Sequence, residues 1–382
     1  MLGWILSGGG ARGAYEAGVL RYICDVLGPR LGQSVFPKVI CGTSIGALTG
    51  TWLGAWGEAG AAGLSAIWQR MEPNHVFRLN TLDLARAPLK LLRNQVPLGE
   101  KLSLLDPTPV YELVKNTLPW DQLYARMERG DLRSLVVAAT EVSNGRCTLF
   151  ADGVVPRPKT TATSRFHPTR VRAEHVLASA AIPFVFPVVE AEGRWYVDGA
   201  LRQNTPLSPA IELGVSRALV VGCKPADESE QHPPVHAEPT PAFLAGKALS
   251  AMLLDPVEED IRRLEAFNRI LAWGERAYPD FNQRLAAELR PYRQIRTVYV
   301  RPSENVATMA GEAFLKCVDS LPWPTRTLLS AVHSQEGDQE ADLMSTLLFH
   351  RAYTGPLEEL GYADARRQEE ALVGLITRPA AG

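Results

Sequence analysis

The chain is poor in the features that mark several common classes of protein. Its five cysteines, Cys24, Cys41, Cys147, Cys223 and Cys317, are scattered, odd in number and nowhere spaced C-x-x-C. That argues against a disulfide scaffold and against a zinc site, and it points to a reducing compartment. Neither sign of charge is in excess: 40 Lys and Arg stand against 42 Asp and Glu, a net charge of -2. No global field therefore recruits nucleic acid or an anionic membrane, and no nucleic-acid partner is expected. The opening residues, Met1-Leu2-Gly3-Trp4-Ile5-Leu6-Ser7, lack a basic region and a long apolar run. No secretory signal is read there, and a cytoplasmic protein is expected. There is no internal repeat. One charge-free stretch, Val39–Gly57, carries Gly42, Gly46, Gly50 and Gly54 at intervals of four. Such a stripe can pair helices in a membrane. Thr43, Ser44, Thr49 and Thr51 inside it favour a buried strand that turns into a closely packed helix.

What is present is ordinary globular material: 382 residues, 46% hydrophobic and 21% charged, enough for one large domain or two smaller ones. Leu2–Ser7 reads as a strand, Gly13–Leu27 as a helix, Val35–Cys41 as a second strand and Ser44–Glu58 as a second helix. This β-α-β-α start implies an α/β protein with a parallel sheet. Further strands are expected at Leu132–Val142 and Arg146–Phe150, with a hairpin of Phe184–Glu190 and Arg194–Val197 turning at Glu192-Gly193. A helix at Pro206–Leu213 and a strand at Arg217–Cys223 complete a first unit, residues 1–223. Pro225–Pro241 holds five prolines and four acids and reads as a loop, so 224–241 separates that unit from a mainly helical region, 242–382, packed on it. Within that region one strand is expected at Gln294–Val300, and Val257, Ile261, Leu264, Phe267 and Leu271 share a helical face.

Two glycine motifs follow the first two strands. Gly42-Thr43-Ser44-Ile45-Gly46 fits G-x-S-x-G at a strand-to-helix junction. A serine on so sharp a turn exposes its hydroxyl above the sheet edge, and the helix behind it supplies a positive dipole end. A tight turn with a capping serine fits the same pattern. Gly8-Gly9-Gly10-Ala11-Arg12-Gly13 also opens a helix, and its backbone N–H groups can face an anion. Gly8, Gly10 and Gly13 match a dinucleotide fingerprint, but that reading requires an acid at the end of the second strand, where Cys41-Gly42-Thr43-Ser44 stands. Both loops lie at the carboxyl ends of adjacent parallel strands, so one can supply an oxyanion hole and the other a nucleophile. The histidines, His75, His167, His175, His232, His236, His333 and His350, show no glycine-flanked setting for a Ser–acid–His triad. Asp198-Gly199-Ala200 remains as a carboxylate candidate at a strand end, although Asp-Gly alone is usually a turn former.

Gly8–Gly13, Gly42–Gly46 and Asp198-Gly199-Ala200 together resemble the patatin-like phospholipase family, and Ala178–Phe184 resembles the segment that precedes its aspartate. The resemblance spans about Leu2 to Cys223, with a weaker likeness at Leu347–Ala365. It implies a three-layer fold with a mostly parallel sheet between helices, and a lipid acyl hydrolase built on a Ser44–Asp198 dyad. The oxyanion hole would come from Gly8–Gly13, chiefly the N–H groups of Gly9, Gly10 and Ala11, with Arg12 assisting. Gly42 and Gly46 would form the nucleophile elbow. Neither metal nor cofactor is implied, and the substrate would be a phospholipid or another acyl ester. An aspartate base needs desolvation to raise its pKa, and Phe184, Phe186, Trp195 and Tyr196 are candidates to supply it. Val76–Lys101 is basic and amphipathic, with five basic and two acidic residues, and fits either a lipid-surface segment or a helix packed on the body. A nucleotide-binding module and a non-enzymatic membrane-binding protein remain the competing readings.

Overall fold

The computed structural model describes residues 1–79, 105–155, 163–183, 185–225, 257–288, 293–336 and 342–378. Nine strands form one sheet: β1 (Leu2–Leu6), β2 (Val39–Thr43), β3 (Ser134–Glu141), β4 (Cys147–Gly153), β5 (Ser164–Pro168), β6 (Val189–Ala191), β7 (Arg194–Asp198), β8 (Arg217–Val221) and β9 (Arg296–Val300). The main order is β5-β4-β3-β2-β1-β8-β9. From β3 to β9 every neighbouring pair is parallel, while β4 runs antiparallel to β3. The central strands are apolar on both faces because helices cover both.

Among the described residues the α-helices longer than four residues are α1 (Gly13–Arg21), α2 (Ile45–Trp56), α3 (Gly60–Gln69), α4 (Thr108–Thr117), α5 (Trp120–Glu128), α6 (Ala173–Ser179), α7 (Leu207–Glu212), α8 (Val257–Ala277), α9 (Phe281–Glu288), α10 (Val306–Cys317), α11 (Trp323–Glu336), α12 (Asp342–Leu347), α13 (Arg351–Arg367) and α14 (Glu369–Thr377). Strand alternation sorts the sheet residues between two cores. Trp4, Leu6, Ile40, Leu135, Val137, Leu219 and Val221 join the larger one, with α1, α2, α3, α10, α13 and α14. Ile5, Val39, Cys41, Val136, Ala138 and Val220 face the smaller one, with α7 and the start of α8. The three-layer α/β architecture expected from the sequence is the one observed, and β9 extends the sheet beside β8 while α10, α13 and α14 share its larger core.

Several boundaries differ from expectation, each for a local reason. The second helix begins at Ile45, because Ser44 itself sits at φ 54°, outside helical space. The first helix keeps α geometry to Arg21 and widens into a π turn over Tyr22–Leu27. The strand expected at Phe184–Glu190 is only Val189–Ala191. The preceding residues form a tight turn, with the Val185 and Phe186 amides donating to Ile182 O at 3.2 and 2.8 Å, and Pro187 has no amide to offer a ladder. The hairpin turn falls where expected, with Glu192 and Gly193 both at positive φ, the mark of a two-residue primed turn. The edge strand β5 and the Gly/Ala-rich α3 were not anticipated. On α8, Ile261 and Leu271 are buried but Phe267 is exposed. Residues 226–241 of the Pro-rich loop and 80–101 of the basic segment lie outside the described residues, whereas Val76 and Phe77 are buried. Among the described residues no helix is long and apolar enough to cross a membrane. All five cysteines are buried and free.

Candidate active site

β3 brings the two candidate residues together. It has eight residues, three more than β2, so part of its edge extends past the end of β2. Thr43, the last residue of β2, pairs with Ala138. Asp198, the last residue of β7, pairs with the next residue, Ala139, from the antiparallel direction. β4 pairs with the same Ala139 through Thr148, so β7 must occupy the edge that β2 has vacated. Two strands thus meet head to head along one template, with Ser44 just beyond one and Asp198 ending the other. The Ser44 Oγ donates to Asp198 Oδ2 at 2.6 Å, and both residues are buried.

Ser44 has φ 54° and ψ -123°, a conformation that costs about 1–3 kcal/mol and is held by its surroundings. Its carbonyl accepts the Ala47 and Leu48 amides and so starts α2. Its own amide donates to Ser179 Oγ at 2.8 Å, and that hydroxyl donates to Ala138 O at 2.6 Å. Gly46 lies against the carbonyl of Leu6, where any Cβ would approach to 2.4 Å. Asp198 is fastened as firmly. Its amide donates to Ala181 O, its carbonyl accepts Thr140 Oγ1, and its Oδ1 accepts the Ala200 amide at 2.8 Å. Ser179 was not singled out from the sequence, although the segment containing it was. Its role depends on a contact 135 residues away, which no local pattern encodes.

The Asp198 carboxyl is pushed up to about 7 by burial, partly opposed by the bonds from Ser44 and the Ala200 amide. Of the aromatic cluster considered for this desolvation, Phe186 is buried and lines the apolar cavity that begins at Ser44. Trp195 is exposed, Tyr196 packs on Phe150, and Phe184 lies outside the described residues. Gly9, Gly10, Ser44, Ile182, Asp198, Ala200 and Thr346 line a narrow cleft at the pair. Beside it a larger apolar cavity of about 160 Å³ begins at Gly10 and Ser44 and runs along α2 past Leu48 to Trp52, walled by Ile67 and Trp68 of α3, Val110 and Val114 of α4, Phe186 and Phe349.

The glycine loop borders the same cleft. The Gly8 amide donates to Asn204 O, which removes it as a donor to a ligand. Arg12 N–H returns to Gly9 O, and the Gly13 amide returns to Gly10 O. The amides of Gly9, Gly10 and Ala11 precede these first bonds, where a helix start leaves donors without intrahelical partners. The Arg12 side chain is buried and donates from Nε and Nη2 to Ser345 Oγ at 2.9 and 2.6 Å. Of the histidines, His75 lines the apolar cavity while its Nδ1 accepts the Glu72 amide. His175 accepts the Arg172 amide at the start of α6, and His350 caps α13. His232 and His236 lie outside the described residues. Among the described residues no three His, Cys, Asp or Glu side chains are grouped to hold a metal ion. The carboxyl end of β2 carries no acid for a ribose, so the dinucleotide pattern finds no support there.

The fold and the site define a class: a mostly parallel α/β sheet with a hydroxyl–carboxylate pair and a glycine loop at the carboxyl ends of its strands. The chain belongs to the patatin-like phospholipase family, whose model matches residues 5–211. Members of that family hydrolyse lipid acyl esters. Among solved structures, the crystal structure of VipD from Legionella pneumophila is similar, at 14% identity and a TM-score of 0.39. The match covers 97% of this chain and 66% of that one, so this chain spans just under two thirds of its length. No curated protein sequence matches this chain.

Proposed function

We propose that the protein is a lipid acyl hydrolase in which Ser44 is the nucleophile and Asp198 its base. The observation that carries this reading is the 2.6 Å bond from Ser44 Oγ to a fully buried carboxylate beside an apolar cavity. Asp198 Oδ2 takes the hydroxyl proton as Ser44 Oγ bonds to the ester carbonyl carbon. The carbonyl oxygen becomes an oxyanion facing the Gly9, Gly10 and Ala11 amides, which are preorganised in a site of low dielectric. Collapse expels the alcohol, which leaves with the proton held by Asp198, and Ser44 remains acylated. A water then attacks the acyl carbon, gives its proton to Asp198, and the acid departs as Ser44 Oγ regains a proton. The apolar cavity holds the acyl chain, and its contact area favours a fatty acyl group over a small polar one. Val76–Lys101, basic in a slightly acidic chain, is proposed to touch an anionic lipid surface.

The test is a pair of measurements on the full chain. A fluorophosphonate should label wild type at Ser44 and leave Ser44→Ala unlabelled. Ester turnover should vanish in the same variant while its melting curve is unchanged. Full turnover in pure Ser44→Ala would overturn the assignment.

A further inference from the structure

The glycine loop is held in place by a part of the chain outside the family match. Gly10 stands at φ +58°, and its Cα faces the Thr346 carbonyl so closely that a Cβ there would come within 2.4 Å of it. Two residues on, Arg12 sends Nε and Nη2 to the hydroxyl of Ser345, which is fully buried. Ser345 and Thr346 belong to α12, more than a hundred residues beyond residue 211, where the family match ends. The chain that follows α12, Phe349 and the start of α13, is fixed against the wall of the acyl cavity. The Arg351 amide donates to Met71 O at 2.7 Å, Thr354 Oγ1 to Trp68 O at 2.7 Å, and Phe349 lines the cavity.

We propose that Ser345 is a positioning residue for the oxyanion hole, acting through Arg12, and that Arg12 is a strut of the loop. This rests on the reading of Gly9, Gly10 and Ala11 as oxyanion donors. A guanidinium is planar and its donors are fixed in a fork, so two bonds to one oxygen set the direction of the whole side chain. That direction fixes the start of α1, and through it the two peptides before it. An oxyanion donor works only within a few tenths of an ångström of the developing charge. Release of the strut therefore weakens the transition state more than the bound substrate.

The experiment compares Ser345→Ala, Ser345→Thr and Arg12→Lys with wild type. For each, kcat and KM are measured on one p-nitrophenyl acyl ester. Affinity is measured for an alkyl trifluoromethyl ketone, which forms the tetrahedral adduct, and for the matching alkyl methyl ether, which cannot. Ser345→Ala is expected to lower kcat about tenfold to a hundredfold, less than the 10²–10³ seen when a donor itself is removed. KM and ether affinity should stay within about twofold, and ketone affinity should fall in step with kcat. Ser345→Thr keeps the hydroxyl and should restore most of the activity. Arg12→Lys keeps the charge but not the fork and should resemble Ser345→Ala, which supplies a second variant if the alanine protein does not fold. An unchanged kcat in folded Ser345→Ala or Arg12→Lys would overturn the proposal, as would equal losses of ketone and ether affinity. Ser44→Ala separates the two levels: turnover that survives it sinks the hydrolase reading itself, while turnover lost there with a silent Ser345→Ala sinks the strut alone.

Discussion

Asp198 accepts two hydrogen bonds and is closed off from water, and these act on its proton in opposite directions. Burial wins, and the carboxyl titrates near 7. A base must be ionised to accept a proton, so we predict that kcat/KM rises with pH through about 7 and levels off above it. A profile flat from pH 5 to 9 would remove Asp198 as the base. The same shift acts on stability. The carboxyl has an ordinary value of 3.8 when exposed and about 7 when folded, so the folded state binds its proton more tightly. Stability is favoured below 3.8 and is lost progressively as pH rises to about 7. Asp198→Asn cannot ionise. It should match wild type in unfolding free energy at pH 4 and exceed it at pH 8 by on the order of 4 kcal/mol, at about 1.4 kcal/mol per pH unit of that window. Its turnover should nevertheless fall by roughly 10²–10⁴-fold. Higher stability with lost activity separates a buried base from a turn former, for which asparagine would serve equally in both measurements.

Among the elements, α13 has the clearest polar attachment to the catalytic half. Asp364 on α13 is buried and accepts the Tyr15 hydroxyl of α1 at 3.0 Å and the Ser303 amide after β9 at 2.9 Å, and it pairs with Arg367. Asp364→Ala leaves two donors without an acceptor, and each such loss costs about 1–3 kcal/mol. We predict a destabilisation of roughly 2–5 kcal/mol in urea unfolding, and a change below about 1 kcal/mol would make this junction dispensable. The elements also show what a sequence reveals. The strand–glycine–helix starts were legible because apolar runs, glycines and caps are neighbours in the chain. Ser44 and its elbow lie in such a signal, whereas Asp198 stood only as a strand-end carboxylate candidate until the resemblance gave it weight. The head-to-head meeting of β2 and β7 on β3 was not legible, since register between strands 150 residues apart leaves no local mark. Ser179, Ser345 and Thr346 were missed for the same reason, and α3 was missed because Gly60, Ala61, Ala62 and Gly63 blur its periodicity.

Charge and core together set the behaviour of the whole molecule. Residues 76–101 carry five basic and two acidic side chains within a chain of net charge -2. We predict that replacing Arg86, Lys90 and Arg93 by glutamine weakens partitioning onto anionic vesicles at low salt and leaves neutral vesicles unaffected. Unchanged partitioning on anionic vesicles would refute a lipid-surface role. The core makes a stronger demand. Because the family match ends at residue 211, residues 1–223 suggest themselves as an autonomous catalytic unit. Yet the larger core continues through Phe314, Met344, Leu347, Leu348, Tyr353, Leu357, Leu372 and Leu375, all buried in one cluster with residues of the helices and strands of the first half. Each of these side chains contributes about 1.5–3 kcal/mol on burial. Their joint loss is comparable to or larger than the roughly 5–15 kcal/mol by which a domain is stable. β8 would also lose β9 and expose an apolar edge that can pair with other copies. We therefore predict that residues 1–223 alone are insoluble or lack cooperative unfolding by circular dichroism, and that a fluorophosphonate does not label Ser44 in them. A soluble, cooperatively melting 1–223 that labels at wild-type rate would make the later helices an accessory layer, and it would remove the α12 strut from the catalytic site as well.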